Sequence, residues 1–258
     1  MFGFLIKKAF FDMWDNLFRV VILNLGFILC ASGVLFLPSL LLNLGTVPSL
    51  AGLFVGLAAL MVYTGAASSM ARDISDYGSP GFRDFWAHLK RTAPTSLLFA
   101  LILCLHVFVL MYAFPFYSQM KSLVGPLAIA FIFWVSLIWI LACLYYFPIQ
   151  SRLDLDARKI IRKQLLLFFD NTLFTIGLGL GCVLVVVLSG FTAFLLPGLT
   201  TVLVWLNVGL KLRLYKYDYL EQHPDANRRQ IPWDALLIDD RERVGKRTLR
   251  GMIFPWKE

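Results

Sequence analysis

Five polar side chains stand inside otherwise apolar stretches: Asn24, Thr64, His106, Ser136 and Asn207. A polar group at membrane depth is costly, so it marks a pathway, a ligand site or a helix contact. His106 is the one titratable group among them. A lone histidine of this kind reads first as a helix–helix hydrogen-bonding group and second as a proton carrier. Asn24 and Asn207 read as interhelical glue. A second set closes three apolar runs: Arg72 with Asp76, Arg152 with Asp156, and Arg213 with Asp218. Their spacing suits local i,i+4 or i,i+5 ion pairs; alternatively they meet as a charge ring around a pseudo-threefold axis. A third set is aromatic. Trp14, Trp86, Trp233 and Trp256 lie in amphipathic or polar stretches and are candidate docking residues.

Other chemistry finds little support. There is no HExxH, no GxSxG, no Walker-type glycine loop, and no His/Asp/Glu cluster at metal spacing. His88 and His223 sit in polar stretches without such partners. Cys30, Cys104, Cys143 and Cys182 all fall in apolar runs, without a CxxC, and read as buried apolar residues. The expectation is therefore no catalytic residue, no metal and no cofactor. An embedded enzyme ranks behind a binding protein and a transporter.

These residues are positioned by membrane helices. The chain is 59% hydrophobic and only 16% charged, with 23 Phe in 258 residues. The charges are segregated, and uncharged runs of roughly 18 residues or more read as spans. Six are counted: about Leu17–Leu37, closed by Pro38; Pro48–Ala71; Pro94–Phe114; Pro126–Phe147; Thr172–Ser189; and Ala193–Leu210 with Lys211 snorkelling. The second carries Gly52-x-x-x-Gly56 and a small-residue face of Ala58, Ala59, Gly65, Ala66 and Ser69, which lets helices approach closely. All 16 Asp and Glu fall outside the spans. Met1 to Ile6 lack a basic n-region, so the first span reads as an uncleaved anchor.

The fold class expected is an all-α membrane protein of six helices, arranged as three parallel-repeat hairpins. Each hairpin follows an interfacial amphipathic helix. The units are about 1–76, 77–156 and 157–219; convergence under membrane constraints is the rival account of their likeness. In the first helix Lys8, Asp12, Asp15, Asn16 and Arg19 form the wet side, and Phe2, Leu5, Ile6, Phe10, Met13, Trp14 and Leu17 the other. Asp15-Asn16 is placed to cap the first span. The second unit opens with Phe82, Phe85, Trp86 and Leu89 at helical spacing. In the third, Arg158, Lys159, Arg162 and Lys163 form the wet face, and Ile161, Leu165, Phe168 and Phe169 the dry one. On this assignment 23 of the 24 Lys and Arg share the side of both termini; Lys121 is the exception. The positive-inside rule then makes both termini cytoplasmic. Residues 220–258 form a polar, basic tail, expected to dock on that face or to lie loose with its tryptophans at the headgroups. Basic residues beside aromatics at helical spacing fit lipid headgroups better than nucleic acid.

The stretch Phe11-Asp12-Met13-Trp14-Asp15-Asn16-Leu17-Phe18, running into Leu23-Asn24, the proline-led second span, and Phe82-Arg83-Asp84-Phe85-Trp86 resemble the YesL-like family of bacterial membrane proteins, whose function is unknown. The resemblance covers spans one to six. It implies a bacterial cell-membrane protein beside a carbohydrate ABC importer and supplies no catalytic residues. The expected function is accordingly a non-enzymatic accessory protein touching membrane lipids and ABC permease subunits. The alternative is a small-molecule transporter or channel along the pseudo-threefold axis, which requires Asn24, His106 and Asn207 to share one cavity.

Overall fold

The structure is a computed structural model that describes residues 1–228, 230–245 and 247. Among these residues it is helical throughout, without strands. The helices are α1 (Phe2–Asp15), α2 (Leu17–Leu41), α3 (Thr46–Ser75), α4 (Phe82–Ser118), α5 (Val124–Cys143), α6 (Tyr146–Arg152), α7 (Ala157–Asp170), α8 (Thr172–Gly190), α9 (Gly198–Gln222), α10 (Trp233–Leu236) and α11 (Ile238–Val244). Among the described residues five stretches, not the six expected, are long and apolar enough to cross a membrane: Leu17–Leu44, Thr46–Ser75, Phe82–Ser118, Val124–Arg152 and Thr172–Gly190; the expected sixth, 193–210, is not among them.

The helix boundaries differ from the sequence reading where proline chemistry is involved. Pro38 does not end α2, which runs to Leu41 and a 3-10 turn through Leu44. One missing N–H leaves one carbonyl unpaired and does not stop a helix whose other bonds are intact. Pro94 likewise lies inside α4, so the interfacial segment and the third span form a single helix of 37 residues. Pro148 does produce a break. It cannot donate to the carbonyl of Leu144, and α5 stops at Cys143 before the short α6 begins.

The core lies at one end of the bundle. In α2 the buried residues are Val20, Leu23, Asn24 and Phe27. In α4 none lies beyond Ala100. All of Tyr146–Ser151 in α6 is buried, and most of α9. We call this the polar end, because α1, α7, α10, α11 and the charged helix termini gather there. Toward the other end α2 and α3 pack closely: a Cβ at Gly56 would come within 2.8 Å of the Val34 Cα, so the small-residue face is used as expected.

The third hairpin is the shallow one. Asn24 donates to the carbonyls of Leu195 and Pro197, each at 2.9 Å, and accepts from the Thr200 N–H at 2.8 Å. It thus caps α9 from another helix. Gly198 has φ +71°, and any side chain there would overlap the Asn24 amide. The turn between α8 and α9 therefore ends at the level of Asn24, whereas α2 continues to Leu41, roughly 25 Å farther at 1.5 Å per residue. Helix α9 starts at Gly198 rather than near Ala193, because Ala193 and Phe194 take left-handed conformations.

Candidate functional site: the charged face at the polar end

The face is built outward from the end of α3. Asp76 closes that helix, and Tyr77 follows with φ 64°, its turn secured by the Gly78 N–H donating to the Asp73 carbonyl at 2.7 Å. This turn presents Asp76 and Tyr77 to three other elements. Arg152, at the end of α6, donates to both oxygens of Asp76 at 2.8 and 3.2 Å. Lys211 of α9 lies 3.3 Å from Asp76 and 3.3 Å from Asp240 of α11. The Tyr77 hydroxyl donates to Asp240 Oδ1 at 2.7 Å, and the Tyr215 hydroxyl to its Oδ2 at 3.0 Å. One carboxylate from the tail thus receives donors from the α3 turn and from α9.

Beneath it lies an ion pair in α1. Lys8 is fully buried and Asp12 is 5% exposed; they stand 2.9 Å apart. The Lys8 ammonium sits over the Tyr77 ring, 3.6 Å from its centroid. This corrects the reading of α1 as a helix with its charges toward water. Lys8 and Asp12 point into the protein, under the tail, while Asp15 stays exposed as expected, and Phe2, Ile6 and Trp14 are exposed too. The reason is that opposite charges at i and i+4 neutralise each other, so the pair can be covered where a single charge could not. Asn16 also departs from expectation. It occupies the cap position of α2 without a side-chain cap bond; its amide donates to the Asp12 carbonyl, and its oxygen accepts from Arg19.

The electrostatics follow from burial and partners. Burial pushes the Asp12 carboxyl up to about 6, against the pull of Lys8, and pushes Lys8 down. Burial also opposes ionisation of Asp76 and Asp240. There it is outweighed, by Arg152 and Lys211 for Asp76, and by Tyr77, Lys211, Lys8 and Tyr215 for Asp240. Both carboxyls are held below the usual range.

A second cluster stands where α7 meets α8. Asp170 accepts from Lys216 at 2.8 Å and from the Tyr217 hydroxyl at 2.6 Å, and its carboxyl is held low chiefly by these bonds. Asn171 accepts from Arg213 at 3.0 Å and Lys216 at 3.2 Å. The Arg213 guanidinium stacks on Phe174 at 3.8 Å, with Trp233 beyond it at 5.3 Å.

One of the three charged exits forms an ion pair across the units, and none forms the expected local pair. Arg72 binds Asp73 and the Ser151 carbonyl rather than Asp76. Arg152 crosses to Asp76, and Asp156 caps α7 through the Arg158 N–H at 2.9 Å. Arg213 turns to Asn171, and Asp218 is exposed. Of the docking candidates, Trp233 packs within the chain against the core; Trp14 and Trp86 are half exposed; Trp256 lies outside the described residues, as do Arg229, Lys246 and Arg250.

The intramembrane polar groups do not converge. Asn24 belongs to the tip of the third hairpin. Asn207 donates to Ser68 on α3 and to the Leu203 carbonyl, and accepts from Ser151 on α6. His106 lies between α4 and α5, facing Trp139 with ring centroids 6.4 Å apart, and its buried Nε2 has no hydrogen-bond partner among the described residues. Sequence reasoning missed a buried relay nearby. Gln150 donates to the Thr92 carbonyl at 3.1 Å and to Ser96 at 3.0 Å, and the Tyr146 hydroxyl donates to the Thr95 carbonyl at 2.9 Å. The i,i+4 spacing of Lys8 and Asp12 was a usable signal for burial; nothing local marked Asp240 or Tyr215. Chemically, the arrangement can tie four helices and the tail together through ion pairs. Comparison with known proteins gives no match among family models, curated proteins or solved structures.

Proposed function

We propose that the chain is a non-enzymatic accessory protein of a bacterial cell membrane, related to the YesL-like family, that works through its polar face beside the permease of a carbohydrate ABC importer. Both termini and this face are cytoplasmic, and all three hairpins enter from that side, the third turning at the depth of Asn24. The orientation rests on the Lys and Arg distribution. The observation that carries the functional reading is the commitment of the polar groups. Asn24 and Asn207 are used between helices, and Asp76 and Asp240 between elements. What remains for a partner is the exposed basic side of α7, with Arg158, Lys159 and Arg162, together with Phe82 and Trp86 at the start of α4.

The test is purification of the tagged chain from its host in mild detergent, with quantitation of co-purifying proteins. Stoichiometric recovery of permease subunits, lost on reversing charge at Arg158, Lys159 and Arg162, supports the proposal. Solute flux catalysed by the purified chain alone in liposomes sinks it. Single cysteines at Lys121 and Lys159 test orientation, since only the first should react with an impermeant maleimide from outside the cell.

A further inference from the structure

A groove of about 830 Å³ runs between the exposed side of α1 and the flank of α8 and α9. Its walls include Phe10 and Trp14 of α1, Gly181, Val185 and Leu188 of α8, and Trp205 of α9. The lining has almost nothing polar left to offer. The Thr201 hydroxyl already donates to the Pro197 carbonyl, and the Trp205 indole N–H to the Leu178 carbonyl at 3.0 Å. An occupant must therefore be hydrocarbon. Two glycines let aromatic rings of the wall pack flush on α8: the Phe2 ring stands over Gly177 and the Trp205 indole over Gly181, where a Cβ would overlap either ring.

The surroundings point to where the hydrocarbon comes from. Within the lining, α8 exposes Leu180 and Leu184, 67% and 60% accessible, on a helix long and apolar enough to cross a membrane. Along α8 the lining extends from Gly177 to Leu188, roughly 16 Å at 1.5 Å per residue. That is about the depth of one leaflet, half of a hydrocarbon core about 30 Å thick. The third hairpin turns at the level of Asn24, so the groove belongs to the leaflet at the polar end. This end gathers the basic residues. Arg247 lies over the Phe11 ring, next to Phe10 of the groove, and its guanidinium is half exposed beside Asp15. Anionic headgroups are enriched at such surfaces.

We propose that this groove holds one acyl chain of an anionic phospholipid drawn from the leaflet at the polar end. The lipid fills the wedge under α1 and adds to the contacts, such as Phe2 on Phe174, that hold that helix against α8 and α9. It is a structural lipid site, independent of any protein partner.

The experiment quantifies lipid extracted from the full chain after extensive washing in mild detergent. About one phosphatidylglycerol-type lipid per chain should remain. Val185→Trp, which fills the groove, should lower retention at least fivefold. Leu173→Trp, on an exposed position outside the lining, should leave it unchanged. Equal retention by Val185→Trp overturns the proposal, as does recovery of free fatty acid instead of phospholipid. The unaltered protein provides a second measurement that needs no variant. Returning phosphatidylglycerol to the stripped chain should raise its melting temperature by several degrees, since a ligand that binds only the folded state stabilises it; no shift overturns the proposal.

Discussion

Helices α1 and α7 are the same device used in two ways. Each has 14 residues, ends in Asp followed by a non-helical Asn, and leads directly into an apolar helix. Each is amphipathic. In α7 the charged side is the open one, where Arg158, Lys159 and Arg162 are exposed and Ile160, Gln164, Leu167 and Phe168 are buried. In α1 the charged side is closed over: Lys8 and Asp12 lie beneath Tyr77 and α11, and the aromatic side is free. The difference comes from charge balance and cover. Helix α1 offers an internally neutral pair, which costs less to bury. The wet side of α7 is a run of cations whose nearest carboxylate is Asp154, 3.4 Å from Lys163 and 3.9 Å from Lys159. Among the described residues the other carboxylate beside it, Asp156, is used on the Arg158 backbone N–H, and the cationic side stays in water.

The comparison breaks first at Lys8. Replacing it with alanine leaves Asp12 buried and unpaired, which should cost about 3–5 kcal/mol. Lys159→Ala on α7 should change stability by less than about 0.5 kcal/mol. Thermal unfolding of both variants in one detergent checks this, and equal shifts would show that α1 is not covered in solution. Replacing the pair together, Lys8→Met with Asp12→Leu, should recover most of the loss, because no orphan charge remains.

The two Asn breaks sharpen it next. Asn171 is buried and accepts from Arg213 and Lys216, so Asn171→Ala should cost about 1–3 kcal/mol by leaving buried donors unsatisfied. Asn16 is half buried, and Asn16→Ala should cost less than about 1 kcal/mol. Chemical unfolding of the two variants should rank them in that order.

Acidity separates the layers over α1. For Asp12 the folded value, about 6, exceeds the reference 3.8, so its contribution to stability is largest below 3.8 and declines as pH rises to about 6. Asp240 and Asp76 run the other way. Their folded values are depressed, so their contribution is present above 3.8 and lost as pH falls through the lower folded values. Tail docking should therefore persist down to about pH 4 and weaken below it. Hydrogen exchange across Leu237–Val244, compared at matched intrinsic rates, reads this directly; protection that shows no decline at all as pH falls below 3.8 would contradict it.

The smallest effect is expected at Arg247. Its pair with Asp15 is half exposed, with oxygens at 2.9 Å, and Arg247→Ala should cost no more than about 1 kcal/mol. Limited proteolysis between α9 and α11 should be almost unchanged.

Much of the plan was legible one segment at a time. Apolar runs gave the long helices, since a stretch without charges has one low-energy place beside water. The wet side of α7 followed from its spacing, and Asn24 and Asn207 acted between helices as amides in apolar runs do. The proline boundaries misled in α2 and α4 because a missing hydrogen bond is only one term against a long ladder. The three-unit pattern hid an inequality, for α4 is continuous where α1 and α7 are broken from their spans.

What the sequence determined alone is thus local: which stretches are apolar, which faces are charged, and where Asn interrupts a helix. Those properties depend on residues within a few turns of each other. Tertiary structure alone decided that Asp240 would meet Tyr77, Tyr215 and Lys211, that Arg152 would cross to Asp76, that Lys8 and Asp12 would be covered, and that the third hairpin would stop at Asn24. These contacts join residues up to 176 positions apart. Polar groups inside a bundle bond to whatever partner packing brings within about 3 Å, and chain order does not record that.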